Sequence, residues 1–270
     1  MNPKNFDSVL IADAAEVAYS RGPYEWETSD LITQAFAGAI TKAGFAAKDV
    51  GGLGGASCTQ LRDHAIDLPW RLSISPRWCT DDCHCGAGAI NLLQHALRPI
   101  QSGDATVIVL MSGDRCAPED FSRLVDFDRT TAPSVRPLPN GGPNSLFAML
   151  TQRHAAHDGF KRPDSAAQRT WAEQNQHAVY RTPMQIDDYL AAPLVADPLG
   201  RFDCVPVVPP NAIVLARVEC VRLAANVKVR ALQSLYNFDH PQEDGCGMVQ
   251  YSYGMCANAV VMARSDQGGV

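Results

Sequence analysis

Apolar positions change their period along the chain, and each change marks an element. Ser8 to Ala12 reads as a first strand, and from Ser29, a residue type suited to an N-cap, the apolar positions Leu31, Ile32, Phe36, Ile40 and Ala43 recur at helical spacing. Gly44 stands where a helix would end at C′. Asp49 to Ser57 reads as a short strand, and its many glycines predict close backbone contacts rather than a bulky face. A variable polar stretch runs to about Trp78. Then Cys83-His84-Cys85-Gly86-Ala87-Gly88-Ala89-Ile90 has the glycines of a tight turn and leads into a helix marked by Leu93, Ala96, Leu97 and Ile100. Ser102-Gly103-Asp104 closes that helix. Ala105 to Met111 is almost wholly apolar, which predicts a strand buried on both faces.

Residues 114 to 145 are rich in Pro, Asp and Arg, a long excursion of the kind that carries function or covers another surface. A helical stretch starts at Asn144 or Ser145, with Leu146, Phe147, Leu150 and His154 at helical spacing. Ser165 to Tyr180 and Ile186 to Ala191 predict two more helices. Asp197-Pro198-Leu199 breaks the helical pattern. Ala212 to Arg217 and Val227 to Leu232 follow as strands, and Gln250 to Arg264 reads as one or two strands around Gly254. Strand, turn, helix and strand in this order are the grammar of a layered α/β fold.

Composition narrows the function. With 270 residues, 46% of them hydrophobic and 19% charged, the chain has enough apolar material for a sizeable core. Its net charge of −6 and its scattered Lys and Arg do not make the clustered basic surface that nucleic acid requires. The apolar runs fall short of the ~20 residues that span a bilayer, and no signal-peptide pattern opens the chain, so the expected compartment is the cytoplasm. Nine cysteines, an odd number, sit mostly among apolar neighbours as small hydrophobes. Cys79, Cys83 and Cys85, with His84 between the last two, offer soft metal ligands. No second Cys/His pair lies at zinc-ribbon spacing, so no metal is expected. His64, His154, His157 and His177 have no ligand-set spacing and read as surface or helix-face residues.

Four segments together carry a family resemblance. They are Ala43-Gly44-Phe45-Ala46-Ala47-Lys48-Asp49-Val50, which closes the first strand–helix unit; Gln94-His95-Ala96 with Ile100-Gln101-Ser102-Gly103-Asp104-Ala105; Ser145-Leu146-Phe147-Ala148; and Leu194-Val195-Ala196-Asp197-Pro198-Leu199-Gly200-Arg201-Phe202-Asp203-Cys204. In this order the chain resembles the N-terminal half of the thiolase superfamily, especially the lipid-transfer, sterol-carrier-protein type. The resemblance implies a layered α/β/α half with a mixed five-stranded sheet and a helical loop insertion. Residues 1–113 would be the N-terminal α/β core and 114–200 the loop domain that helps to cover a coenzyme A thioester. Residues 201–270 would hold the remaining core strands and a truncated remnant of the second half. The family's second half carries His-Pro-x-Gly and Cys-x-Gly segments. His240-Pro241 and Cys246-Gly247 stand in other contexts, so no role passes to them, and Val208-Pro209-Pro210-Asn211-Ala212 departs from the family's turn before its next strand.

Thiolases use a Cys nucleophile at the start of the buried helix, where the helix dipole favours a thiolate. Aligning Cys83 there keeps a Cys-x-x-Gly-x-x-Ala-Ile pattern but forces an insertion of nearly one helical turn into the helix that follows. Anchoring on Ala96, Ile100 and Gly103 needs no insertion and puts Gly86 at the nucleophile position, with Cys85 just before it. The second register resembles the branch that lost the nucleophile, some members of which cleave carbon–carbon bonds of steroid-CoA side chains with a small OB-fold partner. Cys83 and Cys85 are therefore the candidate catalytic thiols or else packed thiols in a turn. Gly86, Gly88 and Ala89 are the candidate acyl-binding positions, whose N–H groups face a developing oxyanion.

The resemblance leaves two functions open. One is an acyl-CoA enzyme of lipid metabolism, an acyltransferase working by acyl transfer or thiolysis, or an aldolase working by retro-aldol cleavage. The other is a non-catalytic thiolase-like subunit that binds acyl-CoA or completes a hetero-oligomer. No cofactor is expected beyond the coenzyme A thioester as substrate. The expected assembly is a homodimer, or a hetero-oligomer with a thiolase-like or OB-fold subunit.

Overall fold

The structure, a computed structural model, describes residues 5–18, 26–57, 59–60, 64–82, 88–115, 137, 143–159, 166–176, 178, 180–204, 211–222, 227–236 and 256–264. Its elements fall into two compact units. The larger is a seven-stranded mixed sheet with helices on both faces. Its strands are β1 (Val9–Glu16), β2 (Gly52–Ala56), β3 (Trp78–Asp82), β4 (Val107–Ser112), β7 (Asn211–Arg217), β8 (Val227–Tyr236) and β9 (Cys256–Arg264), in the spatial order β3-β2-β4-β7-β1-β8-β9. Its helices are α1 (Thr28–Ala43), α2 (His64–Arg71) and α3 (Gly88–Ser102).

Strand β4 shows why the fold has three layers. Val107, Val109 and Met111 join Ile32, Phe36 and Leu53 in one core, while Ile108 and Leu110 join Leu92, Leu97 and Ile100 in the other. Both faces of the strand are apolar because a helix covers each. Strands β2, β3 and β4 run parallel, so Ala56, Asp82 and Ser112 end in register at one edge of the layer. Strand β7 returns antiparallel to both β4 and β1.

The expected five-stranded mixed sheet is present as β3-β2-β4-β7-β1, but two further strands extend it. The pair β8 and β9 is antiparallel, and β8 adds to β1 through Leu10–Lys228 and Ile11–Val227. This covers the edge that β1 would otherwise leave open.

Local chemistry explains the main elements. Helix α1 ends as expected at Gly44, whose φ of 76° is left-handed, with Phe45 N–H donating to the Ile40 carbonyl at 2.9 Å. Its start is two residues earlier than the Ser29 expectation. Glu27 is the N-cap, its backbone N–H donating to Asp30 Oδ2 at 3.1 Å, and Ser29 is buried within the first turn. The glycines of β2 give the close contacts predicted for them: a Cβ on Gly54 would lie 2.7 Å from Leu110 Cδ2. The stretch before Trp78 is not all loop, for α2 lies within it, and Trp78 itself opens β3.

The smaller unit contains α4 (Pro143–Asp158), α5 (Ala166–Gln174), α6 (Ile186–Leu190) and a two-stranded hairpin of β5 (Leu194–Ala196) and β6 (Leu199–Gly200). A buried Tyr189 hydroxyl donates to Asp203 Oδ1 at 2.6 Å, and Asp203 Oδ2 accepts the Gly200 N–H at 2.6 Å. Arg169, in the first turn of α5, lies 5.0 Å from the ring centres of both Tyr180 and Phe202, two cation–π contacts that tie this turn to the segments after it. Most of the Pro-rich excursion, 116–136 and 138–142, lies outside the described residues, as do 237–250 with His240 and Cys246.

Candidate functional site

Two polar clusters gather where the parallel strands end, the side on which open α/β sheets bind ligands. The first is built on Asp82, the last residue of β3. This residue is 7% exposed, and its carboxylate accepts a hydrogen bond from Nδ2 of Asn91, a residue 2% exposed on the first turn of α3. Gly88 opens that turn. A Cβ there would lie 2.9 Å from Asp82 Oδ1 and 3.0 Å from Ala56 Cβ, so the missing side chain is what lets the helix start descend onto the ends of β2 and β3. The carboxylate therefore sits against the positive end of the α3 dipole.

The second cluster is centred on Asp114, just past β4. Its Oδ1 accepts from Ser57 Oγ at 2.7 Å, from the Thr59 backbone N–H at 2.8 Å and from Thr59 Oγ1 at 2.9 Å. The Thr59 hydroxyl proton is thus spent on Asp114, so Thr28 Oγ1 donates to Thr59 Oγ1 across their 2.9 Å separation. Thr28 in turn accepts the Arg115 N–H at 3.1 Å, and Ser57 Oγ accepts the Gln60 N–H at 3.0 Å. This chain of bonds ties the segment after β2 to the end of β4 and the start of α1. Such a directed network in a partly buried setting fixes these three segments against one another.

Of the residues chosen from the sequence, Gly88 and Ala89 form the start of α3, with Gly88 buried and Ala89 half-buried. Cys83, Cys85 and Gly86, together with His84, lie outside the described residues. Cys79 is at the exposed edge in β3. Desolvation, with a smaller contribution from the charge of Asp81, pushes its thiol above the ordinary range and makes it a weak nucleophile at neutral pH. Among the described residues no group of three His, Cys, Asp or Glu side chains is placed to hold a metal ion. His154 and His157 both pair with Asp158 on the surface of α4. Asp82, Asn91 and the Asp114 network were not among the sequence candidates. The only signal for Asp82 was its position just before the Cys-His-Cys run.

The architecture has close counterparts among solved structures. The Ltp2-ChsH2(DUF35) aldolase superimposes with a TM-score of 0.74 at 20% identity, over 89% of this chain and 63% of that one. A monomeric SCP2-thiolase-like protein type 1 from Mycobacterium smegmatis matches with 0.63 at 15%, over 86% of this chain and 52% of that one. This chain has a thiolase-like fold. An OleA variant from Xanthomonas campestris matches more loosely, with a TM-score of 0.50 at 17% identity over 85% of this chain and 64% of that one. The thiolase-like chain thus spans between about half and two-thirds of the length of these structures. No family model matches the sequence, nor does any curated protein. No helix among the described residues is long and apolar enough to cross a membrane.

Proposed function

We propose that this thiolase-like chain acts on a coenzyme A thioester by non-covalent carbon–carbon cleavage, a retro-aldol reaction, rather than through an acyl-cysteine. The observation that carries this reading is the Asp82 carboxylate against the first turn of α3. A helix N-terminus favours one anion there, with the equivalent of about half a positive charge. A catalytic thiolate at the same helix start would share that place with Asp82. Like charges gathered at one helix start disfavour each other, which counts against a thiolate there. An aldol cleavage needs no thiolate. The β-hydroxyl proton of a 3-hydroxyacyl thioester goes to a base, the Cα–Cβ bond breaks to leave a carbonyl at Cβ, and the thioester enolate takes a proton back at Cα. The charge that develops on the enolate oxygen is of the kind that backbone N–H groups at a helix start stabilise.

The likeness to the Ltp2-ChsH2(DUF35) aldolase supports the same reading, and with it a hetero-oligomer that includes a DUF35-type partner. The test is to incubate the full chain, alone and with such a partner, with 3-hydroxyacyl-CoA substrates. Mass spectrometry then follows the shorter acyl-CoA, the released carbonyl compound and the protein itself. Cleavage with unmodified Cys83 and Cys85 is expected. An acyl adduct on either cysteine would sink the non-covalent route, and binding without cleavage in every combination would make the chain a non-catalytic subunit.

A further inference from the structure

The Asp82–Asn91 pair is out of place as a stabilising device. Helix α3 is already held to the sheet by Leu92, Leu93, Ala96, Leu97 and Ile100, all buried. Placing a carboxylate and a carboxamide under its first turn carries a desolvation cost, against which their hydrogen bond and the dipole of α3 are set. An apolar pair of the same shape fills such a position as well or better. What a polar pair adds is direction, because a hydrogen bond fixes distance and angle where apolar contact fixes only proximity.

The direction is set at one place. Asp82 Oδ2 accepts from Asn91, while Oδ1 lies against Gly88, which is itself pressed on Ala56. The last residues of β2 and β3 and the first turn of α3 are thereby locked at a single height. Asp82 is the one fully buried residue of β3, whose pattern is otherwise a half-exposed edge. Burial is thus concentrated at the end of the strand that faces the site.

We propose that Asp82 and Asn91 are positioning residues of the thioester site: by latching the first turn of α3 to the ends of β2 and β3, they set where its backbone N–H groups meet the thioester carbonyl. This rests on the coenzyme A thioester reading above. The latch acts through the backbone of Gly88 to Asn91 and predicts a loss of turnover without a loss of fold.

The experiment compares three full-length proteins: wild type, the apolar pair D82L/N91L, and the exchanged pair D82N/N91D, which keeps one carboxylate, one carboxamide and the bond between them. Coenzyme A and 3-hydroxyhexanoyl-CoA serve as probes. Melting temperature, binding by calorimetry, turnover, and amide hydrogen exchange across α3 are measured. The apolar pair is expected to stay folded, to melt close to wild type despite the lost dipole contact, and to bind coenzyme A unchanged. Its first-turn amides should exchange faster while those around Ala96 do not, and kcat should fall about 100-fold, the scale of a small misplacement of reacting groups. The exchanged pair should recover most of both losses. An apolar pair with wild-type kcat and wild-type exchange overturns the latch and leaves the thioester reading standing. A wild-type protein that binds neither probe overturns the thioester reading and the latch's role in it, whatever the exchange data show. If the apolar pair unfolds, the exchanged pair decides: wild-type stability with kcat still 100-fold down overturns the latch as well.

Discussion

Helices α1 and α3 cover opposite faces of one sheet and bury comparable apolar stripes, yet their ends are built differently. Helix α1 is capped on its backbone by local devices, Glu27 with Asp30 at one end and left-handed Gly44 at the other, while first-turn side chains Thr28 and Asp30 also reach Thr59, the Arg115 N–H and Arg71. Helix α3 begins in a long-range contact, with Gly88 and Asn91 set on the buried Asp82 and on Ala56. A cap satisfies a helix; the start of α3 is instead aligned to the strand ends. The contrast separates two roles that can be tested: stability in the stripes, which the two helices share, and the proposed function in the terminus where they differ.

If that division holds, equivalent deletions in the two stripes should cost the same. Leu97 on α3 and Ile32 on α1 are both 0% exposed. Leu97→Ala and Ile32→Ala should each destabilise the protein by about 2–5 kcal/mol, through lost transfer energy and the cavity left behind. Urea unfolding followed by fluorescence measures this. A loss confined to one of the two would mean that the faces do not share a single cooperative core.

The termini should separate where the stripes do not. Nothing lies within 4 Å of a Cβ placed on Gly44, so Gly44→Ala meets only backbone strain at φ 76°, about 1–2 kcal/mol. Gly88→Ala meets Asp82 Oδ1 and Ala56 Cβ, overpacking worth about 1–3 kcal/mol, and must lift the first turn of α3. The two variants should therefore melt at similar temperatures. Cleavage of a 3-hydroxyacyl-CoA should survive in Gly44→Ala and fall at least about tenfold in Gly88→Ala, given the cost of small misplacements. Equal activity in both would erase the comparison.

The same contrast explains what could be read from the sequence. Strand β4 and the stripe Leu93, Ala96, Leu97 and Ile100 are buried by covering layers, and burial leaves an apolar signature. Gly44 was legible because a left-handed C′ residue is a local demand. Strand β3 left no such mark: it is a sheet edge in which Cys79 and Asp81 are exposed and the one buried side chain is an aspartate. Helix α2 was hidden by Pro69 within it and by Ile66 and Trp70, both exposed, so its apolar residues do not trace the buried face. The N-cap moved from Ser29 to Glu27 because Thr28 and Ser29 are themselves buried in the first turn. In the candidate site, the glycine run pointed to Gly88 and Ala89, which open α3. Asp82 with Asn91, and Asp114 with Ser57 and Thr59, are partnerships made by the fold between segments distant in sequence, and no local periodicity encodes them.

The smallest expected effect concerns Cys79, which shares β3 with Asp82 but faces the exposed edge. Its thiol is held above the ordinary range first by desolvation and second by the charge of Asp81, with a backbone hydrogen bond from Thr80 opposing both. The sign follows from the linkage of protonation to folding. A thiol whose folded pKa is raised adds stability below its unfolded pKa, and that stability is lost as the pH climbs through the folded one. Cys79→Ser should thus leave the melting temperature at pH 7 nearly unchanged and flatten its decline in the alkaline range. Alkylation of Cys79 by iodoacetamide should be slow at neutral pH, because only the thiolate reacts. Asp81→Asn removes the second cause and keeps the first, so its alkylation profile should move to lower pH yet stay above that of a free thiol. A profile that fell to the free-thiol range would show that the neighbouring charge, not desolvation, governs this thiol.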